Sequence, residues 1–141
     1  MIKDSYAQLS RDEGTVLHAY QDHLGFWTIG TGIMIDKRKG GGLLPEEDAF
    51  IVSNRLRIIG EQLDKRIPWI CKLDPARRGV LVNMAFQMGV DGLLGFRNTL
   101  ATIEKGNYRL GAEQMLQSLW ARQTPARANR LSIQMASGEW Q

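Results

Sequence analysis

The order of residue patterns along this chain predicts an α+β fold, in which a small antiparallel β lobe is joined by a long helix to a mostly helical lobe. Three observations carry the prediction. A glycine-broken run of aromatic and β-branched residues fills Val16 to Gly32, the signature of a hairpin. After Pro45, the residues Ala49, Val52, Leu56, Ile59 and Leu63 recur at three- and four-residue steps, the period of a helix with one apolar stripe. Farther on, Asp74-Pro75 and Thr124-Pro125 each combine a capping side chain with proline at the next position, the pattern of a helix start.

Residues 4 to 12 read as a short helix, with Asp4 or Ser5 capping its first amides, Tyr6 and Leu9 on one side and Gly14 as the stop. Strands are expected at Leu17 to Gln21 and Phe26 to Ile29, around a turn at His23-Leu24-Gly25, with Ile33-Met34-Ile35 as a third. Next come Asp36-Lys37-Arg38-Lys39 and the triple glycine 40 to 42. No GK[ST] ending follows, so the glycines read as a mobile turn rather than a phosphate cradle. Pro45 opens the long helix; its acidic first turn of Glu46, Glu47 and Asp48 suits the positive end of the dipole. Only Gly60 interrupts its apolar stripe, and the helix ends near Ile67-Pro68. Helices follow over 75 to 88, 97 to 105 and 108 to 120, then from Pro125, with Gly89, Gly106 and Gly138 as stops.

At 141 residues and 43% hydrophobic content, the expectation is a single domain over 1–141, with a β lobe over 14–44 and a helical lobe over 45–141 joined by the N-terminal helix. A cleft between such lobes would suit an extended polymer. No stretch approaches the roughly 18 to 20 apolar residues of a membrane span, and the start, Met1-Ile2-Lys3-Asp4-Ser5-Tyr6, lacks a signal-peptide pattern. Cys71 is the sole cysteine, and His18 and His23 are too few and too loosely spaced for a metal. No disulfide, metal or cofactor is therefore expected. The net charge of +3 favours polyanions, but Arg55, Arg57, Lys65 and Arg66 are spread over helical faces and no nucleic-acid motif is present.

Glu13 falls at the end of the first helix, where a carboxylate faces the negative end of the dipole. Asp22 lies at the hairpin turn and Thr28 in the second strand. Two carboxyls on different elements around a hairpin can flank a bound sugar chain, as glycoside hydrolysis requires. The same residues admit a plain structural reading, with Glu13 an exposed helix end and Asp22 a turn former.

Glu13-Gly14, Ala19-Tyr20-Gln21-Asp22 and Gly25-Phe26-Trp27-Thr28-Ile29-Gly30-Thr31-Gly32 together resemble the active-site signature of the T-even type phage lysozymes, glycoside hydrolase family 24. That signature is Glu, eight residues, Asp, five residues, Thr, and both gaps match here. The resemblance returns in Asn83-Met84-Ala85-Phe86-Gln87-Met88-Gly89, in Gly95-Phe96-Arg97-Asn98 and in Trp120 to Arg127, with a gap around residues 33 to 45. It implies a lysozyme-like fold and hydrolysis of the β-1,4 bond between N-acetylmuramic acid and N-acetylglucosamine. In this role Glu13 is the acid, Asp22 the opposing carboxylate and Thr28 a hydroxyl that helps hold the attacking water. It also implies that Met34, Phe86, Thr99 and Gln114 contact substrate, while Gln87, Trp120 and Arg127 support the site, Arg127 near the glutamate. Phe86 has a core reading as well, because Val82, Phe86 and Gly89 share a helical face.

The implied partner is the peptidoglycan glycan strand, met by a monomeric endolysin made in the host cytoplasm and released by a separate export or pore system. Asp22 with a water-holding Thr28 points to inversion of the anomeric centre. Thr31-Gly32-Ile33 replaces the family's usual Tyr-Gly-His, which removes a histidine ion pair that can brace the β lobe, and Gln114 stands where asparagine is usual. Two other function classes compete: an inactive wall-binding or regulatory module on the same fold, against which intact Glu13, Asp22 and Thr28 speak, and a basic nucleic-acid-binding domain.

Overall fold

The computed structural model describes residues 4–141; the part of the signal-peptide expectation that falls on Met1-Ile2-Lys3 lies outside the described residues. The chain divides into two compact units, the first reaching Ile51 and the second Val52–Gln141.

In the first unit, helix α1 (Ser5–Glu13) starts where Asp4 accepts a hydrogen bond from the Ala7 amide at 2.8 Å. It ends at Gly14, whose N–H donates to the Ser10 carbonyl at 2.9 Å. Tyr6 and Leu9 are both exposed. Strands β1 (Val16–Gln21), β2 (Trp27–Gly30) and β3 (Ile33–Met34) form one antiparallel sheet in that order. Its register pairs Thr28 with Tyr20 on one side and with Met34 on the other.

After β3, Asp36 caps a short 3-10 helix, Lys37–Lys39. Its carboxylate receives Arg38 Nε at 2.9 Å and Nη2 at 2.6 Å. Those bonds hold the Asp36 carboxyl well below the usual carboxylate range. The triple glycine, expected to be a mobile turn, packs against the end of β3. A Cβ on Gly41 would fall 2.6 Å from the Met34 carbonyl oxygen, and the Gly42 N–H donates to that same oxygen at 3.0 Å. Bare backbone is needed there because carbonyl groups occupy the space a side chain would take. No apolar side chain of this unit is buried among the described residues, although Phe26, Ile29, Met34 and Ile35 are half-buried.

Helix α2 (Pro45–Arg66) carries Glu46, Glu47 and Asp48 in its first turn, as expected. Its apolar stripe is not uniformly buried. Leu63 is fully enclosed and Ile59 and Val52 are half-buried, whereas Leu56 and Ala49 are exposed. Periodicity identifies the apolar side of a helix, but burial needs a neighbour, and the helical core supplies one only along the last turns of α2.

The second unit continues through a 3-10 helix, Pro68–Lys72, then α3 (Pro75–Met88), α4 (Val90–Leu94), α5 (Arg97–Glu104), α6 (Tyr108–Leu116), α7 (Leu119–Gln123) and α8 (Pro125–Ser137). Asp74 caps α3 through the Arg77 amide at 3.0 Å. The single helix expected over 108 to 120 is two. Ser118 breaks it by donating its hydroxyl to the Met115 carbonyl at 2.7 Å and accepting the Ala121 N–H at 3.1 Å, which restarts the chain as α7. Thr124 does not cap α8; its hydroxyl donates back to the Trp120 carbonyl at 3.0 Å, leaving Pro125 to open the helix. Helix α8 packs on α3, α6 and α7, around a core that includes Leu81, Met84, Leu93, Ile103, Met115 and Met135.

Truncating the one enclosed side chain of the α2 stripe tests this uneven burial. Leu63→Ala is expected to cost about 2 to 5 kcal/mol in urea unfolding, the usual range for a leucine cavity. Leu56→Ala, on the same stripe but 40% exposed, should cost about 1 kcal/mol or less. Equal losses would mean that the whole stripe is packed.

Candidate active site

Asp22 occupies the turn between β1 and β2. Its Oδ1 accepts the backbone N–H groups of Leu24 and Phe26, each at 2.9 Å. The aspartate is therefore the turn former that the plain reading anticipated. Its other oxygen, Oδ2, takes no hydrogen bond among the described residues. The Phe26 amide is the largest influence in lowering the Asp22 pKa; partial burial opposes it, and the Leu24 amide and the charges of His23 and Lys39 add to it. The result is an ionised carboxylate with one oxygen anchored and one available.

Thr28 is buried in the middle strand. Its hydroxyl donates to the Phe26 carbonyl at 3.2 Å, and the Asp22 backbone N–H donates to the same carbonyl at 2.9 Å. One peptide group thus ties the aspartate to the threonine. With its proton committed, the Thr28 oxygen is left as an acceptor. The Phe26 ring lies under two cations, Lys39 Nζ at 4.3 Å from its centroid and Arg38 at 5.1 Å, which pins the loop after β3 to this turn. Met34 is the cross-strand neighbour of Thr28.

Glu13 is the last residue of α1 and is exposed. It accepts no hydrogen bond among the described residues, and its carboxyl rests against the backbone of Gly32 in the β2–β3 turn. The arrangement offers a solvent-facing acid at a helix end and, in the same unit, an anchored carboxylate beside an accepting hydroxyl.

Within the second unit, Phe86 is 45% exposed, so its core reading fails. It lines a cavity of about 330 Å³ together with Val82, which also packs against the core. Arg127 and Asn83 line the same cavity. There, Arg127 Nε and Nη2 reach the Asn83 side-chain oxygen at 2.9 and 2.7 Å. Gln87 and Trp120, distant in sequence, meet directly. The indole N–H donates to Gln87 Oε1 at 2.8 Å, and the buried indole stands edge-on to Phe96. Thr99 is buried on α5, and Gln114 lies on the neighbouring α6 with its Oε1 enclosed and unpartnered among the described residues.

Sequence reasoning passed over Asn83, the Phe26 carbonyl and Gly32. Asn83 could have been found from its place three and four residues before Phe86 and Gln87, one helical turn away. A backbone carbonyl leaves no mark in a sequence.

The family model described as phage lysozyme matches residues 10–132. Among curated proteins, the chain is similar to probable T4-type lysozyme 1 of Dictyostelium discoideum, 29% identical over 98% of this chain and 96% of that protein. It is 28% identical to probable T4-type lysozyme 2 of the same organism over 93% of this chain and 92% of that one. It also resembles the pre-baseplate central spike protein Gp5 of Enterobacteria phage T4, at 28% identity over 92% of this chain but 27% of the spike protein.

The division of labour within Asp22 gives a stability test. Asp22→Asn keeps an oxygen for the Leu24 and Phe26 amides and should melt close to the parent, whereas Asp22→Ala, which strands both donors, should melt lower. Circular dichroism melts of the two variants decide; identical melting would show that the side-chain oxygen does not hold the turn.

Proposed function

The chain belongs to the phage lysozyme family, and on that footing we propose that it cuts the β-1,4 bond between N-acetylmuramic acid and N-acetylglucosamine by an inverting mechanism. It is a lysozyme-type glycoside hydrolase acting on peptidoglycan. The observation that carries the finer reading is the backbone of Phe26, whose N–H anchors one oxygen of the Asp22 carboxylate and whose carbonyl takes the Thr28 proton and leaves that hydroxyl an acceptor.

A water seated there gives one proton to Asp22 Oδ2 and directs the other at Thr28 Oγ1. Its oxygen lone pair is then free to attack the anomeric carbon. As that bond forms, the glycosidic C–O bond breaks, and Glu13 transfers its proton to the departing oxygen. Asp22 ends protonated and Glu13 ionised, and exchange with solvent resets both. A direct attack by Asp22 would leave the Thr28 acceptor without a task. On this reading the carboxyls of Glu13 and Asp22 stand apart by roughly 6.5 to 9.5 Å, the range that admits a water.

Met34, Phe86, Thr99 and Gln114 are read as substrate contacts. Gln87 and Trp120 hold one another, and Arg127 is held by Asn83 with Nη1 left to orient a carboxyl. The biological outcome is bacterial lysis in a phage or prophage cycle.

Glu13→Gln keeps the side-chain shape but has no proton to give; it should lower turbidity loss of permeabilised Gram-negative cells by at least about a hundredfold. Proton NMR of fresh digest should show the α anomer first at the new reducing end, and early β anomer would refute inversion while leaving hydrolysis standing. Because the Asp22 pKa is lowered and the base works ionised, the acid limb of kcat/KM should fall below the ordinary aspartate value of about 3.9. An acid limb at or above that value would assign the base to another group.

A further inference from the structure

Gly30, the last residue of β2, and Gly32, in the turn that follows, have nearly the same positive φ, +66° and +67°, yet differ in what a side chain would meet. A Cβ on Gly30 would touch only Ile33 Cδ1, at an ordinary 3.7 Å. A Cβ on Gly32 would fall 2.9 Å from Glu13 Oε2, 3.0 Å from its Cδ and 3.1 Å from its Cγ. The end of the Glu13 side chain therefore occupies the space that a side chain on Gly32 would take. A second feature fixes this seat. Ser10 on the last turns of α1, Thr15 in the connector and Thr31 beside Gly32 share a chain of hydroxyl hydrogen bonds, 2.8 Å from Ser10 to Thr15 and 3.0 Å from Thr15 to Thr31. That chain ties the helix end that carries the carboxyl to the turn that supports it.

We propose that Gly32 is a positioning residue for Glu13, with the Ser10–Thr15–Thr31 hydroxyl chain holding turn and helix end in register. The role rests on the reading of Glu13 as the acid. An exposed carboxylate that accepts no hydrogen bond has many rotamers open to it. The bare glycine backbone of the β2–β3 turn restricts them without neutralising or burying the group, which leaves the proton free to transfer.

The test compares Gly32→Ala with Gly30→Ala. Both place alanine at nearly the same positive φ, and the melting temperatures of the two variants measure the strain that each one adds. On soluble peptidoglycan fragments, Gly32→Ala is expected to lower kcat by at least about tenfold with KM nearly unchanged, the mark of a misplaced reacting group. Gly30→Ala should stay within about threefold of the parent. Glu13→Asp withdraws the carboxyl by one methylene, so in that background adding Gly32→Ala should cost less than about threefold. Equal activity losses from the two glycine variants, or an undiminished cost in the Glu13→Asp background, would overturn the proposal.

Carboxyl carbon-13 NMR separates this inference from the acid assignment. The Glu13 resonance should move in Gly32→Ala and stay in place in Gly30→Ala, whatever Glu13 does in the reaction. If Glu13→Gln remained active while this shift held, the acid assignment would fall and the seat would stand. A Glu13 resonance that ignored Gly32→Ala would remove the seat itself.

Discussion

A helix can run through the middle of a protein core only if each polar atom it takes there finds a partner, and α8 meets that condition on every side. Ser132 donates its hydroxyl to the Ala112 carbonyl of α6 at 3.1 Å, and Gln134 donates its amide to the Ala76 carbonyl of α3 at 2.7 Å. At the far end, Arg77 of α3 takes the Met135 and Ala136 carbonyls at 2.7 and 2.9 Å. Its guanidinium lies 3.9 Å from the centroid of the Tyr108 ring of α6. Its buried apolar residues are Ala128, Leu131 and Met135, small enough at one end to let helices close in. Two helices that bear candidate residues, α3 with Phe86 and Gln87 and α6 with Gln114, are thereby tied to α8, which carries Arg127.

The first unit is built on a different principle. It buries no apolar side chain among its described residues, and a segment of its size has little chance of doing so alone. Its geometry comes from directional bonds: Asp22 to two amides, Thr28 to the Phe26 carbonyl, Asp36 to Arg38, and the hydroxyl chain from α1 to the β2–β3 turn. Such bonds constrain angle as well as distance, which a greasy contact does not. That suits a site whose chemistry depends on where a water and a proton sit. One carboxylate oxygen spent on a turn leaves the other better aimed, so the structural and catalytic readings of Asp22 describe two atoms of one residue rather than rival roles.

Local signals were legible in the sequence because their physics acts within a few residues. Asp4, Asp74 and Pro125 mark helix starts where the structure has them, and the hairpin around Asp22 follows from β-branched and aromatic strands flanking a glycine turn. The α+β order, the spacing of Glu13, Asp22 and Thr28 and the family they point to were likewise set by the order of residues alone. Tertiary structure decided what depends on a partner distant in the chain. It buried Leu63 and left Leu56 exposed on one stripe, turned Phe86 outward to a cavity, joined Gln87 to Trp120 and Asn83 to Arg127, and laid the Glu13 carboxyl on Gly32 but not on Gly30. Periodicity and capping specify the direction in which a side chain leaves the backbone, whereas burial and contact depend on what another segment brings to meet it.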